Sequence, residues 1–188
     1  MQERKLMEMV EAAGTIAIAG HVRPDGDCVG SCLAVCNYIT EQYPEKTVDV
    51  YLETPPVKFS YLKQFERISS DSNTGKQYEL CICLDSGDRE RLGNNVVYLD
   101  TAKTSICIDH HITNKGYAAS NFVNASASAT CEFLYDFLDE EKISKEEAEC
   151  IYTGIIHDTN VFKNSNTTAK TMEVAGVMME KGINFSQI

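Results

Sequence analysis

Short apolar segments rich in β-branched residues alternate with helical segments over the first 111 residues of this chain. Near-continuous apolar character of this kind is typical of strands that are buried on both faces. The intervening helical segment, residues 28–43, has apolar residues at helical spacing and stops before Pro44. The alternation predicts βαβ units with right-handed crossovers, and therefore an α/β fold with a parallel sheet and flanking helices. The predicted strands are residues 15–20, 47–53, 78–85 and 104–111.

The last third of the chain is predicted to be helical. Residues 127–141 are amphipathic, and Ser144 and Glu147 have the spacing of a capping box before an apolar run. A further helix is predicted within residues 167–182, with Gly182 as its stop signal. We expect one domain over residues 1–182, with residues 183–188 as the start of a linker.

The eight cysteines do not form a recognisable metal or redox motif. The sequence has no CxxC pair, which argues against both a zinc ribbon and a thioredoxin-like site. Free cysteine usually behaves as a small buried hydrophobic residue, so packing is the expected role of these thiols.

The charge of the chain limits its partners. A net charge of −11 argues against a surface that tracks long nucleic acid, where neutralisation of phosphates supplies most of the affinity. It does not exclude a short anionic substrate held by metal ions. The absence of a long apolar run or a signal-peptide pattern leads us to expect a cytoplasmic protein with no membrane association. The sequence gives no indication of the oligomeric state.

Aspartate and histidine residues follow three of the predicted strands and end one predicted helix. Ligands of open parallel sheets bind outside the carboxyl ends of the strands, so the three groups that follow strands should meet at one edge. The residues are His21, Asp25 and Asp27 after the first strand, Asp85 after the third, Asp109, His110 and His111 after the fourth, and Asp158 at the helix end.

Carboxylates and imidazoles are suitable ligands for Mn²⁺, with Mg²⁺ or Co²⁺ as alternatives. Six candidate ligands are too many for one catalytic ion with open positions, but they suffice for two ions that share an aspartate. Two ions about 3.5–4 Å apart can clamp a phosphoryl group and activate water. The candidate ligands are His21, Asp25, Asp27, Asp85, His110 and Asp158.

Each of these residues also has an ordinary structural explanation. An aspartate at a strand end is more often a turn residue or a helix cap than a metal ligand, and Asp27 could cap the helix predicted to begin at Cys28. Convergence at four places is harder to explain by packing. The set therefore favours a metal-dependent site.

Four motifs resemble those of the DHH phosphoesterases, in the same order and with similar spacing. They are HVRPDGD at 21–27, DSGD at 85–88, DHH at 109–111 and HDTNVF at 157–162. The resemblance covers about residues 14–182. It implies a Mn²⁺-dependent hydrolase whose DHH domain contains a five-stranded parallel sheet.

The resemblance also implies roles for individual residues. His21, Asp25 and Asp85 would hold one metal ion. The second ion would be held by Asp27, Asp85, His110 and Asp158, which makes Asp85 a bridging residue. His111 would bind the substrate phosphate and act in catalysis, and Asp109 would orient the histidine pair.

Within the family, Gly26 favours the group that degrades short 5′-phosphorylated oligonucleotides and removes phosphate from 3′-phosphoadenosine 5′-phosphate (pAp). The alternatives are an inorganic pyrophosphatase and a non-catalytic domain that binds metal and nucleotide. Asn160 stands where many relatives have glycine, and the family's C-terminal substrate-binding domain is expected to be absent from these residues. His157 matches no motif position, and we interpret it as structural.

Overall fold

The structure is a computed structural model that describes residues 2–188, with side chains from residue 5 onward. Of the helices in this range, none combines the length and apolar character that a bilayer crossing requires. Helices α1 to α6 are Gln2–Ala12, Gly26–Gln42, Val96–Thr101, Thr130–Leu134, Lys145–Asp158 and Ala169–Glu180. Strands β1 to β6 are Thr15–Ala19, Thr47–Tyr51, Ile68–Ser69, Leu80–Leu84, Thr104–Asp109 and Ser120–Val123.

All six strands are parallel and lie in the order β3-β2-β1-β4-β5-β6. From β1 the chain first builds the sheet outward through β2 and β3, and from β4 it builds in the opposite direction. The order therefore reverses between β1 and β4. In open parallel sheets this reversal opens a crevice at the carboxyl ends of the two strands, where ligands bind.

The confirmed features are the α/β class, the parallel sheet and the flanking helices. The expected strand number was wrong, because the sheet has six strands and not five. Strands β1, β2, β4 and β5 were predicted from the sequence. Strand β6 lies at the edge of the sheet and none of its residues is fully buried, while β3 contains only two residues, so neither has a continuous apolar run.

The strands send alternate side chains to two cores. One face, which includes Ile16 and Ile82, joins the main core with α1, α2, α4, α5 and α6. The other face, which includes Tyr51 and Cys83, joins a smaller core with Tyr98 of α3. Burial on both faces explains why the central strands are almost entirely apolar.

Helices α2 and α5 pack closely because glycines lie at their contact. A Cβ atom on Gly30 would lie 2.5 Å from the carbonyl oxygen of Cys150. One on Gly154 would lie 2.3 Å from Cys131 Sγ and 2.6 Å from Asp27 Oδ1. The close approach brings the end of α5, with Asp158, to the beginning of α2.

The single helix predicted for residues 127–141 is not formed. Helix α4 has five residues and is followed by 3₁₀ turns at Tyr135–Phe137 and Glu140–Lys142. Between the two turns, the Asp139 side chain accepts a hydrogen bond from the Glu141 backbone N–H. Local bonds of this type compete with helix continuation. The capping box of Ser144 and Glu147 is present at the start of α5, as predicted.

Candidate metal centre

The aspartate and histidine groups meet at the carboxyl edge of the sheet, where the strand order reverses. The loop after β1 carries His21, Asp25 is the N-cap of α2, and Asp85 directly follows β4. Asp109 ends β5 and is followed by the two histidines, and Asp158 is the last residue of α5. All eight predicted site residues therefore lie around one crevice, including Asp27 in the first turn of α2 and Asp158 at the end of α5.

The first cluster consists of His21, Asp25 and Asp85. His21 Nε2 lies 3.3 Å from Asp85 Oδ2 and 3.7 Å from Asp25 Oδ1. The other ring nitrogen, Nδ1, lies 2.8 Å from the carbonyl oxygen of Val22, to which it donates as an N–H. The buried imidazole therefore turns Nε2 toward two carboxylates, which is the arrangement of a metal-binding histidine with its orienting partner.

The second cluster consists of Asp27, Asp85, His110 and Asp158. His110 Nε2 lies 3.3 Å from Asp158 Oδ2, 3.6 Å from Asp85 Oδ1 and 3.8 Å from Asp27 Oδ2. Its Nδ1 faces the carbonyl oxygen of Ala127 at 3.3 Å. This imidazole, too, is held by a backbone carbonyl with Nε2 facing the carboxylates.

Asp85 lies between the two clusters and is almost fully buried, with 2% of its surface exposed. One carboxylate oxygen, Oδ2, faces His21, and the other, Oδ1, faces His110. Oδ1 also accepts a hydrogen bond of 2.9 Å from the Thr130 hydroxyl. The Asp85 backbone is left-handed, with φ of 53°, a conformation that aspartate tolerates better than most residues.

Asp27 is not the cap of α2. The cap is Asp25, whose Oδ1 accepts hydrogen bonds from the backbone N–H groups of Asp27 and Cys28. The fully buried Asp27 carboxylate accepts bonds of 2.6 Å and 2.9 Å from the N–H groups of Thr130 and Cys131 at the start of α4. These bonds fix the carboxylate beside His110.

Asp109 and His111 form a pair at the edge of the centre, where His111 Nδ1 also lies 3.7 Å from Asp85 Oδ1. Asp109 is fully buried and accepts hydrogen bonds from His111 Nδ1 at 2.8 Å and from Asn114 Nδ2 at 2.7 Å. His111 itself is one third exposed. Asp109 contacts the ring of His111, whereas the Nδ1 of His110 faces the Ala127 carbonyl instead.

The crowded charges shift several pKa values in the metal-free protein. Burial lowers the pKa of His21, but hydrogen bonds to Asp25 and Asp85 outweigh it and leave that pKa far above its ordinary value. Burial also opposes protonation of His110, yet Asp158, Asp27 and Asp85 together raise its pKa to about 10. Protons therefore occupy the positions between the carboxylates that divalent cations would take.

The carboxylates of the second cluster show the same crowding. Burial and the negative charges of Asp85 and Asp158 raise the pKa of Asp27. Burial and the charges of Asp85 and Asp25 raise the pKa of Asp158. Cations would relieve this repulsion, and the oxygen and nitrogen donors of both clusters suit hard or borderline divalent ions such as Mn²⁺ and Mg²⁺.

Three contributors were missed from the sequence. Thr130 holds Asp85 and Asp27, but no motif marks it. Cys28 was interpreted only as a packing residue. Its thiol, one ring nitrogen of His21 and one carboxylate oxygen of Asp85 all lie within 4.8 Å of one another. Burial raises the pKa of the Cys28 thiol, which favours its neutral form. His157, interpreted as structural, lies in a similar group with Asp25 and Asp158.

The loop after α5 is left-handed at three consecutive residues. Asn160, Val161 and Phe162 have φ of 49°, 57° and 62°. Asparagine tolerates this region, which explains how it replaces the glycine expected at this position. The Thr159 hydroxyl donates to the Ile155 carbonyl and accepts from the Phe162 N–H, so it holds the turn that follows Asp158.

Comparison with known families agrees with this geometry. Residues 15–155 match the model of the DHH family, N-terminal domain. The chain belongs to the DHH family. The match extends from β1 into α5 and so includes every proposed site residue except Asp158, which ends that helix.

Named relatives of this DHH domain include the bifunctional oligoribonuclease and PAP phosphatase NrnA of Bacillus subtilis. It is 31% identical over 189 residues, which cover 98% of this chain and 58% of the relative. The protein of the same name from Thermus thermophilus is 29% identical, and the match covers 98% of this chain and 56% of the relative. The chain thus spans less than two thirds of the length of these relatives.

Solved structures show the same fold. The crystal structure of an exopolyphosphatase-related protein from Bacteroides fragilis superposes with a TM-score of 0.88 at 25% identity, over 98% of this chain and 58% of that one. A putative family II inorganic pyrophosphatase from Methanococcus jannaschii gives a TM-score of 0.68 at 18% identity, over 90% of this chain and 56% of that one. The second likeness is one of fold alone.

Proposed function

We propose that this DHH domain is the catalytic domain of a metal-dependent phosphoesterase that hydrolyses short 5′-phosphorylated oligonucleotides and pAp. The observation that carries the proposal is the position of Asp85 between two clusters of potential metal ligands. Its Oδ2 lies 3.3 Å from His21 Nε2, and its Oδ1 lies 3.6 Å from His110 Nε2. A carboxylate with one oxygen toward each cluster is suited to bridge two ions.

The residues proposed for the first ion are His21, Asp25 and Asp85, and those for the second are Asp27, Asp85, His110 and Asp158. Manganese is the proposed ion, with Mg²⁺ or Co²⁺ as alternatives, because the donors are carboxylate oxygens and imidazole nitrogens. When bound, two divalent ions would polarise the phosphoryl group and activate water for in-line attack.

His111 is the proposed substrate-facing catalytic residue. The Asp109 carboxylate accepts the Nδ1 hydrogen bond, which leaves Nε2 of the partly exposed ring for the substrate. The same hydrogen bond raises the pKa of His111 against the opposing effect of burial, and so favours the protonated ring. A protonated imidazole can donate to a phosphoryl oxygen or protonate the leaving oxygen.

The substrate class is supported by the names of the relatives and by the net charge of −11, which disfavours long nucleic acid. The structure also explains why residue 26 is a glycine. A Cβ atom on Gly26 would lie 2.5 Å from His157 Cγ, so a larger residue requires the imidazole to move.

Substitution of Asp85 by asparagine tests the proposed bridge. Asp85→Asn keeps the size of the side chain but removes its charge, and we expect hydrolysis of pAp to fall by at least about 100-fold, in line with the loss of a major electrostatic contribution. Asp136→Asn is the matched control, because Asp136 is an exposed residue that faces Lys170 at 3.9 Å and lies outside both clusters. Normal turnover by Asp85→Asn would disprove the proposed function.

Substitution of His111 by glutamine separates catalysis from metal binding. His111→Gln should bind two equivalents of Mn²⁺, the number expected for the wild-type protein, while its kcat for pAp falls. Metal content is measured by atomic emission after gel filtration, in parallel with phosphate release. Loss of both metal ions in His111→Gln would show that this residue is a ligand and not a substrate-facing group.

A further inference from the structure

A pocket of about 580 Å³ opens beside the metal centre, on the side of α5. Its walls include Lys58, Tyr61, Ile156, His157, Asn160 and Val161. None of these residues belongs to the proposed ligand sets. The pocket combines two basic side chains with partly exposed apolar surface, whereas the adjacent centre is dominated by carboxylates.

His157 connects the pocket to the metal centre. One of its ring nitrogens lies within 4.8 Å of carboxylate oxygens of Asp25 and Asp158, which are assigned to different ions. The ring packs against Gly26 and meets Phe59 edge to face, with 5.7 Å between centroids. The imidazole is therefore held at the border of the centre although it is exposed to solvent.

Lys58 continues the basic surface outward from His157. Its Nζ lies 3.3 Å from His157 Nε2 and 4.8 Å from the centroid of the Phe59 ring. An ammonium group only donates, so Nε2 accepts and two N–H groups of Lys58 stay available for a ligand. Within residues 5–188, no carboxylate lies within 4.0 Å of this ammonium group, in contrast to Lys76, which pairs with Asp49 at 2.8 Å.

We propose that Lys58 and His157 bind the second phosphate of a nucleotide substrate, meaning the phosphate that is not hydrolysed. The inference rests on the proposed function, because it places the reacting phosphate at the metal centre. Lys58 can donate its two remaining N–H groups to phosphate oxygens, and His157, whose Nε2 accepts from Lys58, can donate from Nδ1. Tyr61 and Val161 offer apolar surface to the nucleoside. The ligand class is a nucleotide with two phosphate groups, such as pAp.

The position of this site predicts that it works together with the metal ions. The carboxylates of Asp25 and Asp158 lie next to His157 and repel a phosphate as long as no cation neutralises them. Binding of the second phosphate should therefore require a divalent ion. The pocket would select substrates that carry a phosphate on each side of the nucleoside over those that carry one.

Calorimetric titration with nucleotides tests the site independently of hydrolysis. The wild-type chain is titrated with pAp and with adenosine 3′-monophosphate, in buffer that contains Ca²⁺ in place of Mn²⁺. We expect pAp to bind at least about tenfold more tightly, since a charged hydrogen bond is commonly worth that much. Lys58→Gln should reduce the affinity for pAp by about this factor and change that for adenosine 3′-monophosphate by less than about twofold.

Three further variants complete the test. His157→Gln should show the same selective loss, and Lys58→Arg should retain most of the preference for pAp. Lys5→Gln is the control for the lost charge, because Lys5 lines a surface groove with Glu79 and Thr104 at the opposite end of the strands. In turnover assays, Lys58→Gln should raise KM for pAp and leave kcat within about twofold, as expected for lost ground-state binding.

If Lys58→Gln lowers the affinity for both nucleotides equally, or for neither, the assignment is overturned. The same conclusion follows if the wild-type chain binds the two nucleotides equally. A Lys58-dependent preference for pAp in a chain that hydrolyses no phosphoester would support this site and refute the proposed hydrolysis. The two proposals therefore fail on different observations.

Discussion

Binding of Mn²⁺ to the metal centre should displace protons. In the metal-free protein His110 has a pKa of about 10, and that of His21 lies well above its ordinary value. At pH 8 both rings therefore carry a proton on Nε2, the atom that faces the carboxylates. A metal ion can bind this nitrogen only after the proton leaves, so we expect the binding of two ions to release at least the two protons held by these rings.

The size of the effect follows from the pKa of His110. At pH 7 the ring is three units below its pKa of about 10, and each unit corresponds to about 1.4 kcal/mol, so proton competition costs about 4 kcal/mol of metal affinity. Each unit of pH increase toward 10 removes about 1.4 kcal/mol of this cost, which tightens the second site about tenfold.

The stability of the metal-free protein should change in the opposite direction. A histidine whose pKa is raised on folding stabilises the protein fully below its unfolded pKa of about 6.5. For His110 this contribution is lost as the pH rises through the folded value of about 10. Thermal unfolding of the metal-free protein should therefore shift to lower temperature between pH 7 and pH 10.

Isothermal titration calorimetry in two buffers with different ionisation enthalpies measures the proton release directly. Titrations at pH 7.0 and pH 8.5, two values chosen to keep Mn²⁺ soluble, give the affinity change. His110→Asn should bind one ion with about one proton released, because the amide that replaces the imidazole has no proton to lose at that position. Metal affinity that does not change with pH, with no proton release in the wild-type protein, would refute this reasoning.

Two pairs of substitutions test the packing and the backbone strain around the centre. Gly154→Ala places a methyl group 2.3 Å from Cys131 Sγ and should lower the free energy of unfolding, measured by urea denaturation, by about 1–3 kcal/mol. A methyl group on Gly176 would meet nothing within 4 Å, so Gly176→Ala should raise the free energy of unfolding by about 0.5–1 kcal/mol. Equal effects of the two would contradict the packing argument. Val161→Gly removes left-handed strain from a residue that is 58% exposed and should raise the melting temperature, while Val57→Gly, at a position with negative φ, should lower it. A lower melting temperature in Val161→Gly would contradict the strain argument.

The sequence predicted the central part of the fold because buried parallel strands need apolar residues on both faces. β1, β4 and β5 have this character, and each is followed by aspartate or histidine. In a parallel sheet the carboxyl ends of neighbouring strands meet at one edge, so these residues could be placed together without knowledge of the loops. The position of Asp158 was harder to predict, because it depends on how α5 packs against α2.

Features that depend on long-range contacts were not predictable. β6 is a strand because it extends the ladder of β5, and its sequence SNFV has no continuous apolar run. Thr130 contributes through a hydroxyl and a backbone N–H that reach Asp85 and Asp27, and no local pattern encodes these contacts. His157 lies beside Asp25 because α5 approaches the start of α2, which only the tertiary structure shows.

Hydrolysis assays with the 188-residue chain test the central claim most directly. The chain is incubated with Mn²⁺ and offered a 5′-phosphorylated dinucleotide, pAp and inorganic pyrophosphate side by side, with a chelated sample as the control. We expect hydrolysis of the dinucleotide and of pAp that exceeds hydrolysis of pyrophosphate and disappears with the chelator. No hydrolysis of the dinucleotide or pAp by protein with two bound Mn²⁺ ions would contradict the account.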